Sequence, residues 1–444
     1  MSGFLKTLYF AVMVPTVLLK CEEEVSSVSV KITANPLIAE TGQPVKLEVE
    51  GIRESDIDLK SISWFVGDGK IEKNGVLSSV WIPPDRIGKF RINFQANGKT
   101  DKKYSGTLNI LVKRFGQPPS GGCTIPCNLI YRNYSKKDQI PVLDNPAEIS
   151  VSQVKELPDD KMVIAVKTGE NWRAYPLDVL AYHEVINDSL NGEKITVSYS
   201  PLADFAISFR NRRGGFGHTG MLFESFHILY DRETQSEWLP VKGECFRGKL
   251  KGEKLERIPN IRIRWGALKR INPEAVLVMP EGDSTGHFKY DRNPYDWYFR
   301  DDKHIVGRLS YHDMRLPGKT RVLGVWHGGM AITYPVSSFS GRDVLNQNLG
   351  GLNFLVLSDT ESGLLTAMSR VVEGKVLEFK LHAMPTNEAF MEDVQTGSVW
   401  NILGEAISGV LKGKVLLQVP QYYGFFFAWS SFRPGSEIYV NKKF

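Results

Sequence analysis

From Val28 to Val112 apolar and polar residues alternate in short runs. Val28-Ser-Val-Lys-Ile32, Val45-Lys-Leu-Glu-Val49, Ile62-Ser-Trp-Phe-Val66, Phe90-Arg-Ile-Asn-Phe94 and Leu108-Asn-Ile-Leu-Val112 put every second side chain on one face. A period of two is that of a half-buried strand. Gly-Gln, Gly-Asp-Gly and Asn-Gly breaks separate the runs, so residues 27–114 are predicted to form a small β-sandwich, with the Ile62–Val66 tryptophan in a central strand. The breaker-rich run Gly116-Gln-Pro-Pro-Ser-Gly-Gly122 marks 115–138 as a linker. Beyond it the apolar runs lengthen. The stretch Ala174–Phe209 organises this region: a Tyr175-Pro176 corner, a short amphipathic segment, Asn187-Asp188 and Asn191-Gly192 turns, then two apolar strands joined by Ser200-Pro201-Leu202-Ala203-Asp204.

Residues 139–280 and 281–444 align with each other. At an offset of 159, Val163, Gly169, Tyr175-Pro176, Asn187, Leu190 and Gly192 meet Val322, Gly328, Tyr334-Pro335, Asn346, Leu349 and Gly351. Further on, Thr234, Ser236 and Trp238 meet Thr396, Ser398 and Trp400, and Pro259 meets Pro420. Each half is predicted to end in a short apolar helix, Trp265–Ile271 and Phe426–Phe432, followed by a proline. The fold class expected is mainly β, a β-rich α+β chain: an N-terminal sandwich, then an internally duplicated domain with short helices. The shared residues have folding reasons. Asn-x-x-Leu-x-Gly is read as a tight turn, and Thr-x-Ser-x-Trp as a strand anchored by its indole. The aromatic run Tyr422–Trp429 is read as core.

Of the net charge of +5, Lys6 and Lys20 supply two, and they are the only charges in the first 20 residues. A remainder of +3 excludes the clustered basicity of nucleic-acid binding. One early lysine before the apolar run Leu8–Leu19 predicts a signal peptide over 1–20, too short to span a membrane. Leu18-Leu19-Lys20-Cys21 resembles the lipobox of bacterial lipoproteins, which implies lipidation at Cys21, a short tether over 21–26 and a membrane-anchored place in the cell envelope. Lys20 stands where that motif has a small residue. Export allows Cys123 and Cys127 to pair as a disulfide, with two free thiols as the alternative. Cys245 reads as a small buried hydrophobe.

Chemistry is sought where the halves differ. The first has His183, Ser200 and Asp204 where the second has Arg342, Asp359 and Gly363. His183, Ser200 and Asp204 or Asp188 are candidates for base, nucleophile and orienter, but Ser200 lacks a nucleophile elbow. His183 also reads as a hydrogen-bonded core residue. His183 and His218 are candidate metal ligands. The insert Asn211–Met221 is basic and glycine-rich, so Arg210, Arg212, Arg213 and His218 are candidates for anion or glycan binding, against a solvated hairpin tip. Asp231 and Arg232 are further candidates, or a local ion pair. No cofactor follows from these motifs.

Two resemblances go further. GQPVKLEVEG, ISWFVGDGKI and GKFRINFQANG are similar to bacterial Ig-like domains, which implies a spacer. RAYPLDVLAYHEVIND, ITVSYSPLADFAISF, YDRETQSEW, GKLKGEKLERIP and WGALKRINPEA resemble the bacterial domain-of-unknown-function family numbered 3179. That resemblance implies architecture and an exported setting. Members usually carry Cys-Pro-x-Cys-Gly where this chain has Ser200-Pro201-Leu202-Ala203-Asp204, so a thiol-based metal or redox role does not carry over. The expectation is a lipid-anchored binding or scaffold module for an envelope protein, glycan or small molecule. The alternatives are a metal-dependent or other enzyme around His183, and anion or glycan binding by the Arg210–Gly217 loop.

Overall fold

The computed structural model describes residues 26–441 apart from 36–37, 41–43, 74, 85, 87, 114–121, 155–156, 170, 281–289, 291 and 303. The expected signal peptide, Cys21 and the tether up to Val25 lie outside the described residues. The chain is mainly β. The alternating N-terminal segments form two facing sheets. One orders Ser26–Ser29, Lys102–Lys113, Gly88–Asn97 and Ser63–Val66, with Ile38–Glu40 beside Lys102–Lys113. The other orders Lys31–Asn35, Val45–Glu50, Ser78–Ile82 and Lys70–Lys73. Val45, Leu47, Trp81, Phe90, Ile92 and Ile110 close the core between them. The strand carrying Trp64 is at a sheet edge rather than central, and Trp64 is only half-buried. Trp81, fully buried, is the core tryptophan.

Residues 122–138, expected as linker, pack into the first lobe. Ile130–Arg132 pairs with Phe216–Phe223, Cys123 is buried, and Cys123 and Cys127 are joined as a disulfide. In the first lobe Met162–Thr168 pairs antiparallel with Asn171–Pro176 and with Asn260–Arg264. Val185–Leu190, Glu193–Ser200 and Phe205–Arg210 form a second sheet. Phe216–Phe223, Phe226–Asp231, Glu237–Leu239 and Glu244–Arg247 form a third, and the helix Trp265–Ile271 closes the lobe.

The second lobe repeats this order. Arg321–His327 pairs with Met330–Pro335 in the register of its counterpart, since Val163 faces Pro176 and Val322 faces Pro335. The closing helix is Phe426–Phe432, as predicted. Phe425, Phe426, Phe427, Ala428 and Trp429 are buried, so the aromatic run is core. The Thr-x-Ser-x-Trp strands share one network. Asp231 accepts the amide of Thr234 and the indole of Trp238 at 2.6 and 2.9 Å, and Asp393 accepts those of Thr396 and Trp400 at 2.6 and 3.1 Å.

The shared asparagines differ from the expected turn. Asn187 and Asn346 sit within strands and clamp the backbone of a strand in the next sheet. Asn187 donates to the Phe216 carbonyl at 2.9 Å and accepts its amide at 3.0 Å. Asn346 does the same to Phe379 at 2.7 and 3.0 Å. The turns fall later, at Asn191-Gly192 and Gly350-Gly351, where both residues have positive φ. The described residues of 292–310, assigned by sequence to the second half, lie against the first, whereas 311–320 bond the second half's closing helix, where Ser431 donates to the Tyr311 carbonyl and the Phe427 amide to that of Gly318. The Tyr298 hydroxyl donates to the Leu202 carbonyl, Arg308 to that of Asn128, and Ser310 to Glu224.

Candidate functional site: a buried carboxylate and an interlobe cleft

The helix Leu177–His183 ends at Glu184, a non-glycine residue in left-handed backbone with φ of 57°. Its amide bonds the Leu180 carbonyl, and this cap turns the Glu184 carboxylate inward between two sheets. His218 and His227 reach it from adjacent antiparallel strands. His218 Nε2 lies 2.8 Å and His227 Nδ1 3.1 Å from the same oxygen, Oε2. The Tyr295 hydroxyl donates to Oε1 at 2.6 Å. His227 Nε2 lies 2.7 Å from Ser198 Oγ, and the Gly220 amide donates to His218 Nδ1 at 2.8 Å. Glu184, His218, His227 and Ser198 are all buried.

These contacts set the proton positions. The Gly220 amide makes His218 Nδ1 an acceptor, so the ring's proton is on Nε2 and points at Glu184. Burial alone would raise the Glu184 carboxyl. The imidazoles of His218 and His227 beside it more than reverse that, holding it well below the usual carboxylate range. Burial lowers the His227 pKa and, with Glu184 beside it, raises that of Tyr295. The centre is therefore an anionic carboxylate with imidazole and phenol donors. Ser198, His227 and Glu184 also line up as hydroxyl, imidazole and carboxylate. A nucleophile must meet substrate, and Ser198 is 0% exposed, so the row orders protons inside the core.

The expected triad is not assembled. His183 turns away from Glu184, with Nδ1 2.8 Å from the Pro141 carbonyl and Nε2 2.7 Å from the Tyr290 hydroxyl. It is a hydrogen-bonded core residue, and burial lowers its pKa. Ser200 donates to the Ser225 carbonyl at 3.3 Å and accepts the His227 amide at 3.2 Å. Asp188 pairs with Arg173 at 2.8 Å. His183 and His218 do not share a site, and Glu184 takes the place expected of His183. The basic insert is neutralised locally. Arg210 pairs with Glu193 and Glu256, Arg212 with Glu256 and Arg213 with Glu253. Asp231 serves Trp238, while Arg232 pairs with Asp144 at 3.0 Å, so the two form no ion pair with each other. Glu184, His227 and Tyr295 escaped sequence reasoning. His218 and His227 flank a hairpin turn at Glu224-Ser225, and that hairpin was the available sign that they are neighbours.

Asp204 joins the lobes. Wholly buried with φ of 51°, it accepts Arg262 at 2.7 Å from the first lobe and Arg321 at 2.6 Å from the second, with the Tyr199 hydroxyl at 2.7 Å. Gln418 and Asn260 bridge the lobes reciprocally at 2.6 and 3.2 Å. Above these contacts a cleft of about 490 Å³ opens between the lobes. Its charged lining is Lys242, Arg257 and Arg262 against the single carboxylate of Asp204. Arg257 donates to the Val241 carbonyl at 2.8 Å and, among the described residues, forms no ion pair. Trp326 and Tyr423 supply aromatic wall.

The two halves and their order of motifs extend over one family signature. The family described as Protein of unknown function (DUF3179) matches residues 137–436. The chain belongs to the DUF3179 family. No curated protein matches it. Among solved structures, the fibronectin(III)-like modules of Clostridium thermocellum CbhA are 9% identical, with a TM-score of 0.19, covering 56% of this chain and 94% of that one. SGBP-B of the Bacteroides ovatus mixed-linkage glucan utilization locus, in complex with a mixed-linkage heptasaccharide, is 9% identical, with a TM-score of 0.14, covering 90% and 73%. At these TM-scores neither likeness bears on fold or ligand. DUF3179 membership leaves the activity to be argued from the site.

Proposed function

We propose that this DUF3179 protein is a binding protein of the bacterial cell envelope, lipid-anchored through Cys21, whose ligand is a small anion held between the two lobes. The charge of the cleft carries the reading: three cationic side chains line it against one carboxylate. A cleft walled by one sign of charge focuses its field and raises the local concentration of the opposite ion. About 490 Å³ lies within the range that accepts a ligand of disaccharide or small-metabolite size. Among the described residues Arg257 forms no ion pair, and Trp326 and Tyr423 offer flat apolar surface to a ring or chain beside it. The sandwich at 27–114 is read as an Ig-like spacer that holds this domain away from the membrane. Attachment is assigned to lipid at Cys21 from the Leu18-Leu19-Lys20-Cys21 motif.

Isothermal titration of the folded protein with phosphate, citrate and an acidic disaccharide tests the cleft. The expected result is binding of at least one of them that Arg257→Glu abolishes and that weakens with salt. Failure of all three, or binding indifferent to Arg257→Glu, would overturn the reading. Cys21→Ala should move the protein from the membrane fraction to the soluble one.

A further inference from the structure

The buried carboxylate is separate from the cleft and poses a different question. Glu184 is 4% exposed, and among the described residues no arginine or lysine pairs with it. A buried charge without a strong counter-charge is costly. Other buried carboxylates in these lobes either pair with arginine, as Asp204 does with two and Asp188 with one, or accept several neutral donors, as Asp231 and Asp393 do. At Glu184 two imidazole nitrogens converge on a single carboxylate oxygen instead.

We propose that Glu184, His218 and His227 bind one divalent first-row transition ion of borderline softness, such as Zn²⁺, Co²⁺ or Cu²⁺. Oε2, Nε2 and Nδ1 of these residues lie within 4.8 Å of one another. They form the one group of three histidine, cysteine or carboxylate ligand atoms that converges in this way among the described residues. Metal–ligand bonds of about 2.0–2.1 Å in a tetrahedral site set ligand atoms about 3.4 Å apart. The Oε2 distances of 2.8 and 3.1 Å therefore have to open by only about 0.3–0.6 Å. Two nitrogens and one oxygen suit these ions and not Ca²⁺ or Mg²⁺, which take oxygen.

The surroundings can support the change. Tyr295 holds Oε1 at 2.6 Å and leaves Oε2 for the ion. When His227 binds through Nδ1 its proton moves to Nε2, where Ser198 Oγ accepts it, the outer-shell partner that metal-bound imidazoles keep. For His218 to bind through Nε2 its proton moves to Nδ1, and the Gly220 amide must turn from the ring. Gly220 has φ of 76° and lies where the pairing of Phe216–Phe223 with Phe226–Asp231 shifts register, between His218 and Leu222. A glycine at a bulge is where a peptide turns most easily. Three protein ligands leave a fourth position on the ion open.

The full chain, tag-free and stripped with chelator, is titrated with Zn²⁺ and analysed for metal after dialysis. The expectation is one Zn²⁺ per chain, a Zn²⁺-dependent rise in melting temperature, and affinity reduced about 100-fold or more in Glu184→Gln and His227→Gln. His183→Gln, one residue away but bonded elsewhere, should bind Zn²⁺ unchanged. No stoichiometric metal in folded wild-type protein, or unchanged affinity in Glu184→Gln, overturns the proposal. Should both ligand variants fail to fold, pulsed electron paramagnetic resonance of the Cu²⁺-loaded wild type decides it: two coupled imidazole nitrogens support the site, and none overturns it. Loss of Zn²⁺ binding leaves the cleft reading untouched, because Arg257 and the anion titrations do not involve this centre.

Discussion

Replacing Asp204 by asparagine isolates one charge at the junction of the lobes. Asparagine keeps the shape and tolerates the left-handed φ of 51°. It removes the anion that Arg262 and Arg321 share, at 2.7 and 2.6 Å. Breaking a buried ion pair by removing one partner costs about 3–5 kcal/mol, because the other charge stays buried. The Arg262 side chain is 11% exposed and bears that cost in full, whereas that of Arg321 is 41% exposed and water offsets much of its loss. We therefore set the expected destabilisation at about 3 kcal/mol. For a unit of this size each kcal/mol moves the midpoint by roughly 2 °C, so thermal unfolding should shift by about 6 °C. Tyr199→Phe, which removes one neutral hydrogen bond to the same carboxylate, should cost only about 1 kcal/mol. Urea unfolding of Asp204→Asn, Arg262→Met and the double variant completes a cycle. A single-variant loss under about 1 kcal/mol, or strict additivity in the double, would refute the claim that this pair ties the lobes.

The remaining predictions use the same structure. The Asp204 carboxyl is held below 3.8: burial would raise it, and the charges of Arg262 and Arg321 outweigh that. Its contribution is therefore complete above about pH 5 and is lost as pH falls below 3.8, and Asp204→Asn should flatten this part of the stability profile in urea titrations. Asn187→Ala strands one buried amide and one buried carbonyl and should cost about 2–4 kcal/mol, whereas Asn346→Ala, at an exposed side chain whose bonds are only part-buried, should cost about 1 kcal/mol. Burial pushes the Cys245 thiol up to about 11, so iodoacetamide should label it only after unfolding. Reversing Arg212 and Arg213 to glutamate should leave anion titrations unchanged, since both are committed to Glu256 and Glu253.

How much of this was readable in advance follows from how local each signal is. The alternating runs at 45–49, 90–94 and 108–112, the Tyr-Pro corners and both closing helices depend on neighbours in sequence, and they appear where the pattern put them, whereas the run 28–32 is divided between two strands of different sheets. The duplication was visible because it preserves glycine, proline and tryptophan, whose roles are set by backbone geometry. Trp64 was misplaced because alternation says which face a residue takes and not whether its strand is central or at an edge. Asn187 and Asn346 were read as turn residues because their use, clamping a strand about 30 positions away, has no trace in local composition.

The sites belong to the tertiary structure. Three separate segments bring Glu184, His218 and His227 together, and the cap at Glu184 is what turns its carboxylate inward while His183 faces away. The cleft likewise exists only because the two halves pack against each other, with Asp204 accepting an arginine from each. Sequence by itself determined the mainly β class, the repeat and the order of elements, because hydrophobic period and backbone geometry are short-range properties. Only the tertiary structure decided which charges are paired and which remain to meet a ligand, because Coulomb interactions and desolvation depend on distance in space.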